Sequence, residues 1–278
     1  RLKAIEVHNL IKAIKRYTVS EIVVASSAKG VGVDLYNKLL VLLERGFPIR
    51  EYTQVYEEIT HRVPVQHVER DFYKYFPFSR SNKNRFYLFI SRLFNAIFAL
   101  CVVFLSLFIF PLVFLGNLIA NRGPLFYTQE RVGLNGKPFN IIKLRTMIVD
   151  AEAGGAQYAS KADRRITPFG KILRNLRIDE IPQCINILKG EMSLIGPRPE
   201  RPVFVKELSE KIPFYEIRHA VKPGLTGWAQ VRGRYAESVD DTLEKLQYDL
   251  FYIKHRNLFL DLNILLKTIS TVVYYRGQ

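Results

Sequence analysis

The sequence from Leu93 to Ala120 is LFNAIFALCVVFLSLFIFPLVFLGNLIA, and no charged residue lies between Arg92 and Arg122. An uncharged run of this length exceeds the roughly 20 residues that a helix needs to cross a bilayer. Phe, Leu, Val and Ile dominate the run, so lipid is its expected solvent. The sequence therefore predicts a protein built around a membrane-embedded helix.

Two features favour a helix that enters the membrane, breaks and returns to the same face. Basic residues flank both ends of the run, whereas the two sides of a spanning helix usually differ in positive charge. Pro111 lies inside the run, where it removes a backbone donor and bends the helix. A plain spanning helix is the alternative. The flanking basic residues are Arg80, Lys83, Arg85 and Arg92 on one side and Arg122, Arg131, Lys137, Lys143 and Arg145 on the other.

The chain as a whole is strongly basic. It has 41 Lys and Arg against 26 Asp and Glu, a formal net charge of +15. Such an excess predicts a polyanionic partner, which is nucleic acid, an anionic membrane surface or a phosphorylated substrate. Only two cysteines occur, Cys101 and Cys184, which excludes a disulfide framework and fits a reducing compartment.

Residues 1–75 alternate between strand and helix patterns. Glu21–Ala25 is typical of a short buried strand, Leu35–Leu43 has helical periodicity, and Phe47–Tyr52 favours another strand. This order is typical of an open α/β layer, and we expect a Rossmann-like remnant that lacks its first elements. Residues 76–92 mix aromatic and basic side chains, as expected of an interfacial linker helix.

Two adjacent carboxylates, Asp179 and Glu180, lie in the basic stretch RNLRIDEIPQ of Arg174–Gln183. Cationic neighbours keep carboxylates ionised, which suits a nucleophile, a metal ligand or both. A helix surface with ordinary charge pairs is the alternative.

The helix that leads to this acid pair has recognisable boundaries. Thr167 is a good N-cap, and Pro168 suits the first helical position. Pro182 disfavours helical geometry at Ile181, so we expect the helix to break just after Glu180. The break would place the two carboxylates where a ligand can reach them.

Two further stretches are suited to binding phosphate. Lys143, Arg145 and Thr146 together could hold a phosphate, and a solvated basic strand edge is the alternative. Pro197 and Pro199 fix the backbone around Arg198, which would aim its guanidinium at a phosphate or a base. A rigid loop with a solvated arginine is the alternative there.

Five motifs, taken in order after the membrane segment, resemble the bacterial sugar transferase family of monotopic phosphoglycosyl transferases. The resemblance covers roughly residues 88–278. The motifs are KLRTM at Lys143–Met147, RIDEIPQ at Arg177–Gln183, KGEMS at Lys189–Ser193, GPRP at Gly196–Pro199 and PGLTGW at Pro223–Trp228.

The resemblance implies a reaction at the cytoplasmic face of the bacterial inner membrane. Family members transfer a sugar 1-phosphate from a UDP-sugar to polyprenyl (undecaprenyl) phosphate and release UMP, which starts exopolysaccharide, capsule or O-antigen type glycan synthesis. The implied cofactor is Mg²⁺. The implied partners are the UDP-sugar, polyprenyl phosphate and membrane lipid, with no nucleic acid and with a homo-oligomer left open. The sugar and the glycan pathway are also left open.

The resemblance also assigns roles to residues. Asp179 matches the nucleophile that forms a covalent aspartyl phosphosugar intermediate, and Glu180 matches the residue that assists as metal ligand or proton handler. Both carboxylates are expected to bind the metal. Arginines that contact nucleotide or phosphate in the family match Arg174 and Arg198, and the basic motif near the phosphates matches Lys143 and Arg145. The expected substrate-binding residues are therefore Lys143, Arg145, Arg174 and Arg198.

The expected fold class is α+β, with a mainly helical catalytic domain, a re-entrant membrane hairpin and interfacial helices after the α/β remnant. The expected divisions are the partial α/β domain at 1–75, the interfacial linker helix at 76–92, the membrane-embedded helix-break-helix at 93–121 and the catalytic domain at 122–278.

One departure and two alternatives accompany this prediction. Family members usually break the membrane helix at a Ser-Pro pair, whereas Leu107-Phe108 lies near that point here and Pro111 follows about one turn later. A non-catalytic basic scaffold that docks on anionic lipid or nucleic acid is the alternative from another class. An enzyme that transfers the bare sugar and releases UDP is the alternative reaction.

Overall fold

The structure, a computed structural model, describes residues 9–25, 32–65, 84–155, 163–233 and 239–273. The chain forms two compact units, Arg1–Tyr75 and Phe76–Gln278. Across the described ranges the protein is mostly helical, with three sheets of two strands each. The predicted α+β class with a mainly helical second unit is thereby confirmed.

The first unit has the predicted alternation of strands and helices. Its strands β1 and β2 pair in parallel, with Ile22 opposite Ile49, and helix α2 connects them. A parallel pair joined by a helix is the basic element of an α/β layer. The Rossmann-like type of the complete layer stays a prediction. The elements are α1 Leu10–Arg16, β1 Ile22–Val24, α2 Val33–Glu44, β2 Ile49–Glu51 and α3 Tyr52–Thr60.

The second unit is organised around a single long helix, α4, which spans Arg85–Ala120 over 36 residues. Asn84 caps its first turn, because its side-chain oxygen accepts hydrogen bonds from the backbone N–H groups of Phe86 (3.0 Å) and Tyr87 (3.3 Å). Among the described residues it is the helix that is long and apolar enough to cross a membrane.

Helix α4 runs through Pro111 with a continuous helical backbone, and the re-entrant course of the helix in the membrane stays a prediction. A proline removes one backbone donor from a helix and leaves the bonds of the other turns in place. In apolar surroundings an open backbone group is costly, so the uninterrupted helix is favoured. Residues 85–92 of the predicted linker helix form the first turns of α4. Residues 76–83 lie outside the described ranges.

One face of α4 packs on the rest of the second unit along most of the helix. Ala99, Ser106 and Val113, each two turns from the next, are buried. Ala99 contacts a cluster around Ile141, and Val113 contacts Leu144. The other face exposes large apolar side chains. They include Phe94, Ile97, Leu100, Phe104, Leu105, Phe108, Leu112, Leu115, Leu118 and Ile119.

A β-hairpin follows α4. Strands β3 (Phe126–Val132) and β4 (Pro138–Leu144) are antiparallel, with Phe126 opposite Leu144. Asn135 adopts a left-handed conformation in the connecting turn (φ 55°), which asparagine tolerates better than most residues. The hairpin places β4 beside both α4 and the acid pair.

Short helices and one small sheet complete the second unit. Thr167 caps α5 as predicted, since its hydroxyl accepts from the Gly170 backbone N–H at 3.0 Å. The elements are α5 Pro168–Asn175, α6 Gln183–Leu188, β5 Ser193–Ile195, α7 Pro202–Lys211, β6 Gly224–Thr226, α8 Trp228–Arg232, α9 Val239–His255 and α10 Leu258–Val273, with β5 and β6 parallel.

The chain between α5 and α6 differs from the prediction. Helix α5 ends at Asn175, Arg177 adopts a left-handed conformation (φ 57°), and a 3₁₀ turn covers Ile178–Glu180. The break therefore precedes the acid pair and does not follow Glu180. Ile181 is helical because a following proline disfavours this conformation without forbidding it, and Pro182 serves as the N-cap of α6.

Candidate active site

The acid pair occupies the 3₁₀ turn between α5 and α6, against strand β4. Asp179 is only 8% exposed. The side chain of Glu180 is 12% exposed. Buried carboxylates are rare unless cations or donors compensate them, so their surroundings decide what they can do.

Glu180 is held as a carboxylate by arginines. Its Oε1 accepts a hydrogen bond from Nη2 of Arg198 at 2.7 Å, and Nη1 of Arg177 lies 3.8 Å away. Burial alone would raise the pKa of Glu180, but Arg198, Lys143 and Arg177 together lower it well below its ordinary value. Glu180 is therefore negatively charged at neutral pH.

Asp179 has the opposite electrostatics. Burial and the charge of Glu180 raise the pKa of Asp179 to about 6, and Lys143 and Arg174 partly oppose that rise. Its Oδ1 has no hydrogen-bond partner among the described residues. Two neighbouring carboxyl groups with pKa values pushed apart are typical of sites in which each has its own role. A carboxylate without donors is the better nucleophile of the two.

Lys143 lies on β4 and faces this pair. Burial and the charge of Arg198 lower its pKa to about 8, while Glu180 and Asp179 oppose the decrease. The ammonium group therefore still carries a charge at pH 7. Three sequence-predicted residues, Lys143, Asp179 and Glu180, are thus brought together with Arg198 in one cluster.

Arg198 projects from a loop whose backbone is fixed at four consecutive carbonyls. The carbonyls of Pro197, Arg198, Pro199 and Glu200 each accept a hydrogen bond. Their donors are Gly224 N (2.9 Å), Arg218 Nη2 (3.0 Å), Arg131 Nη1 (3.1 Å) and Val132 N (2.9 Å), respectively. The loop is therefore rigid, as its two prolines predict, and the direction of the Arg198 side chain is set by β3, β6 and the Arg218 segment.

Arg174 lies near the acid pair at the end of α5. Its Nε donates to the hydroxyl oxygen of Thr146 at 2.8 Å, which leaves its terminal nitrogens without a hydrogen bond inside the described ranges. Its charge also lowers the pKa of Asp179. Arg174 is therefore placed to bind an anion beside Asp179.

Arg145 differs from its predicted substrate-binding role, because the protein itself engages its five N–H donors. Nε donates to Pro124 O (2.6 Å), and Nη1 donates to Asn121 Oδ1 (3.3 Å) and Met147 O (3.2 Å). Nη2 donates to Asn117 Oδ1 (3.5 Å) and to Asn121 O. The guanidinium is buried at the end of α4, where it bonds the carbonyl of the C-cap residue Asn121 and two carbonyls of the chain beyond it. Arg145 therefore fixes the exit of the long helix.

Matched Arg→Lys substitutions distinguish the role of Arg145 from that of Arg198. Arg145→Lys is expected to destabilise the fold by about 3 kcal/mol, since an ammonium cannot replace five directed donors. Arg198→Lys is expected to leave the melting temperature nearly unchanged, because lysine keeps a positive charge beside Glu180 and the Arg198 side chain is 39% exposed. It should instead weaken the binding of a phosphate anion at the acid pair about 10-fold. Thermal unfolding and titration of both variants with pyrophosphate check this; similar melting temperatures with equal losses of pyrophosphate binding would contradict it.

Several residues of the site were missed at the level of sequence. Arg218 and Asp249 form a buried ion pair (2.8 Å) behind the Arg198 loop, and Arg131 contacts the same loop. A signal did exist for Asp249, since it is a carboxylate within a helical stretch of apolar and aromatic residues. Gln183, which is 2% exposed, follows the acid pair by one turn and carried no signal beyond its place in the motif.

Comparison with known proteins shows the family of the chain. The model of the family described as "Bacterial sugar transferase" matches residues 86–275, which contain α4 from its second residue onward, the hairpin and the whole cluster. A protein of Aeromonas hydrophila named UDP-N-acetylgalactosamine-undecaprenyl-phosphate N-acetylgalactosaminephosphotransferase is 41% identical to this chain over 228 residues. The match covers 81% of this chain and 52% of that protein.

Two further relatives have related names. The undecaprenyl-phosphate glucose phosphotransferase of Komagataeibacter xylinus is 40% identical over 60% of this chain and 32% of its own length. The UDP-glucose:undecaprenyl-phosphate glucose-1-phosphate transferase of Caulobacter vibrioides is 40% identical over 59% of this chain and 63% of its own length. This chain thus spans about half the length of the first relative and a third of the second. It belongs to the bacterial sugar transferase family.

Proposed function

We propose that this protein transfers a sugar 1-phosphate from a UDP-sugar to undecaprenyl phosphate or a similar polyprenyl phosphate, with release of UMP. The observation that carries the proposal is Asp179, a buried carboxylate with an unpartnered oxygen, set among Lys143, Arg174 and Arg198. A nucleophile that attacks a diphosphate must overcome charge repulsion, and three cations beside it supply the compensation. The names of the relatives support the same substrates.

In the first proposed step, a carboxylate oxygen of Asp179 attacks the phosphorus that carries the sugar. The bond between this phosphorus and the oxygen that bridges to the uridine-bearing phosphate breaks, and UMP leaves with the electron pair. The sugar phosphate is then bound covalently to Asp179. Arg198 and Lys143 are placed to neutralise the charge that develops on the phosphoryl oxygens.

In the second proposed step, a phosphate oxygen of the polyprenyl phosphate attacks the same phosphorus. The bond to Asp179 breaks, which restores the carboxylate and yields a polyprenyl diphosphate sugar. Glu180 lies beside the reacting group and is ionised at neutral pH, so it can assist by binding a cation.

The two carboxylates fit a magnesium ion. Mg²⁺ in proteins is commonly bound by one or two carboxylates together with substrate phosphates and water. Asp179 Oδ1 has no partner among the described residues, and Glu180 is next to it in sequence. No group of three or more potential ligands occurs in the described ranges, so substrate oxygens would have to complete the coordination. When bound, the ion would neutralise phosphate charge.

The long helix supports a place for this site at the membrane surface. Near one end of α4, Asn95 hydrogen-bonds Ser193 (3.0 Å), and near the other end Asn121 hydrogen-bonds the Arg145 carbonyl (2.8 Å). If α4 crossed the bilayer, its two ends would lie on opposite faces, and Ser193 and Arg145 could not both lie on one face. We therefore favour insertion from the cytoplasmic face with both ends of α4 on that face. Tags at the two chain ends found on opposite faces would contradict it.

The nucleotide product tests the proposed function. Purified protein in detergent with undecaprenyl phosphate, Mg²⁺ and a panel of UDP-sugars is expected to release UMP with at least one donor. Release of UDP would instead indicate transfer of the bare sugar. Absence of turnover with every donor, together with salt-sensitive binding to anionic vesicles, would favour the non-catalytic scaffold.

The pH dependence of the first step follows from Asp179. Its raised pKa means that the carboxyl group keeps its proton to a higher pH than usual, and only the carboxylate attacks. Covalent labelling by a radioactive UDP-sugar is therefore expected to be greatest near pH 7, to decline as the pH falls through about 6, and to decline again as the pH rises through about 8, where Lys143 loses its charge. Glu180→Gln should move the decline on the acid side to lower pH, and Lys143→Met should move it to higher pH. A decline that neither variant moves would show that another group titrates.

A further inference from the structure

A second buried polar group near the acid pair lacks a partner. The side chain of Gln183 is almost fully buried, and its Nε2 donates no hydrogen bond among the described residues. Nearly all buried side-chain amides in folded proteins are hydrogen-bonded, because an unpaired donor costs folding free energy. The unpaired Nε2 therefore calls for a partner that a substrate could supply.

The backbone places Gln183 beside Asp179. Residues from Ile178 to Gln183 form a continuous helical path, made of the 3₁₀ turn, Ile181, Pro182 and the first residue of α6. Residues three and four apart on such a path are neighbours, and helical side chains point back towards the amino terminus. The Gln183 amide is thus directed towards the turn that carries Asp179.

The face of α6 that carries Gln183 packs against β4. One turn further along α6, Asn186 donates to the Asn140 carbonyl (2.8 Å) and accepts from the Ile142 backbone N–H (3.0 Å). Gln183 lies one turn before Asn186 on the same face of α6, and Lys143 follows Ile142 on β4. The Gln183 amide therefore lies between Asn186 and the acid pair. On the described residues the two unpaired atoms, Gln183 Nε2 and Asp179 Oδ1, thus belong to one region of the site.

We propose that Gln183 is a further catalytic residue, whose amide nitrogen donates a hydrogen bond to a non-bridging oxygen of the phosphoryl group during its transfer to Asp179. The inference rests on the proposed function and adds a neutral donor to the cations of the site. A buried donor aimed at an oxygen that gains charge in the transition state acts at full strength, because water does not compete with it. If Gln183 only filled space, its unpaired donor would lower the stability of the fold and nothing would offset that loss.

Gln183→Met tests the proposal, because methionine keeps the length and roughly the volume of the side chain and removes the amide that carries the donor. The variant is expected to melt at the same temperature as the wild type or higher, since an unpaired polar group has been replaced by an apolar one. Its maximal rate of covalent labelling by a UDP-sugar should fall about 100-fold, while the half-saturating UDP-sugar concentration changes little. Stability and rate would thus change in opposite directions.

Cys184→Ala is the matched control, because Cys184 is the next residue on α6 and packs in the cluster around Ala99, away from the acid pair. It is expected to lower the melting temperature and to leave the labelling rate within about threefold of the wild type. Gln183→Leu repeats the comparison with a different apolar shape in case the methionine variant fails to fold. Folded Gln183 variants that label at the wild-type rate would overturn the inference alone. A wild type that retains no label would overturn the proposed function and, with it, this inference.

Discussion

Asp179→Asn is expected to reduce covalent labelling of the protein by a radioactive UDP-sugar by at least about 1,000-fold. The carboxamide keeps the size of the side chain and cannot attack phosphorus as a carboxylate does. Burial and Glu180 already disfavour charge at this position, so the neutral residue should keep or raise the melting temperature. Denaturing gels of protein incubated with the donor alone measure the retained label.

Glu180→Gln is the matched control for this experiment. It removes a neighbouring charge of the same acid pair and leaves the proposed nucleophile in place. This variant should still retain label, at a reduced rate, because Glu180 acts beside the reacting group and forms no bond to it. Equal labelling of the wild type and Asp179→Asn would exclude Asp179 as the nucleophile, and loss of label only in Glu180→Gln would exchange the two roles.

Local signals in the sequence predict those parts of the fold that depend on local interactions. Thr167 and Pro168 start a helix because a hydroxyl cap and a fixed φ act on the adjacent turn. The Leu258–Val273 helix coincides with a stretch of helical apolar periodicity. The β-hairpin after α4 is likewise joined by a turn rich in Gly and Asn.

Prolines are the case in which local signals failed. Pro111 and Pro182 were both expected to break a helix, and neither does. A proline removes one backbone hydrogen bond from a helix, whereas the surrounding packing determines whether the helix continues. The break before the acid pair occurs at Arg177, where a left-handed arginine replaces the glycine that usually ends a helix in this way. No sequence rule marks that position.

The role of each cation depends on tertiary contacts, which the sequence does not contain. Lys143 and Arg145 are two residues apart, but β4 ends at Leu144, so Arg145 lies beyond the strand and the alternation of strand side chains does not determine its direction. Lys143 faces the acid pair, whereas Arg145 is surrounded by five acceptors at the end of α4. Motif position alone assigned both of them to the substrate.

The buried ion pair behind the Arg198 loop leads to the second large effect. Arg218 is 7% exposed and Asp249 is 2% exposed, and Nη2 of Arg218 bonds both the Asp249 carboxylate (2.8 Å) and the Arg198 carbonyl (3.0 Å). Asp249→Leu leaves a buried guanidinium without its counter-charge and is expected to destabilise the fold by about 3–5 kcal/mol. Urea unfolding measures this loss, and a change below about 1 kcal/mol would show that the pair is not buried in solution.

The double substitution Arg218→Met with Asp249→Leu separates stability from positioning. Replacing both members of a buried ion pair with apolar residues is often neutral or stabilising, so most of the unfolding free energy should return. The Arg198 carbonyl, however, still lacks the donor that Arg218 supplied, and the loop that aims the Arg198 guanidinium at the substrate is less constrained. Transfer should therefore stay at least about 10-fold below the wild type, with a raised KM for the UDP-sugar. Recovery of both stability and transfer would show that the pair only stabilises the fold, whereas recovery of stability alone would make Arg218 a positioning residue for Arg198.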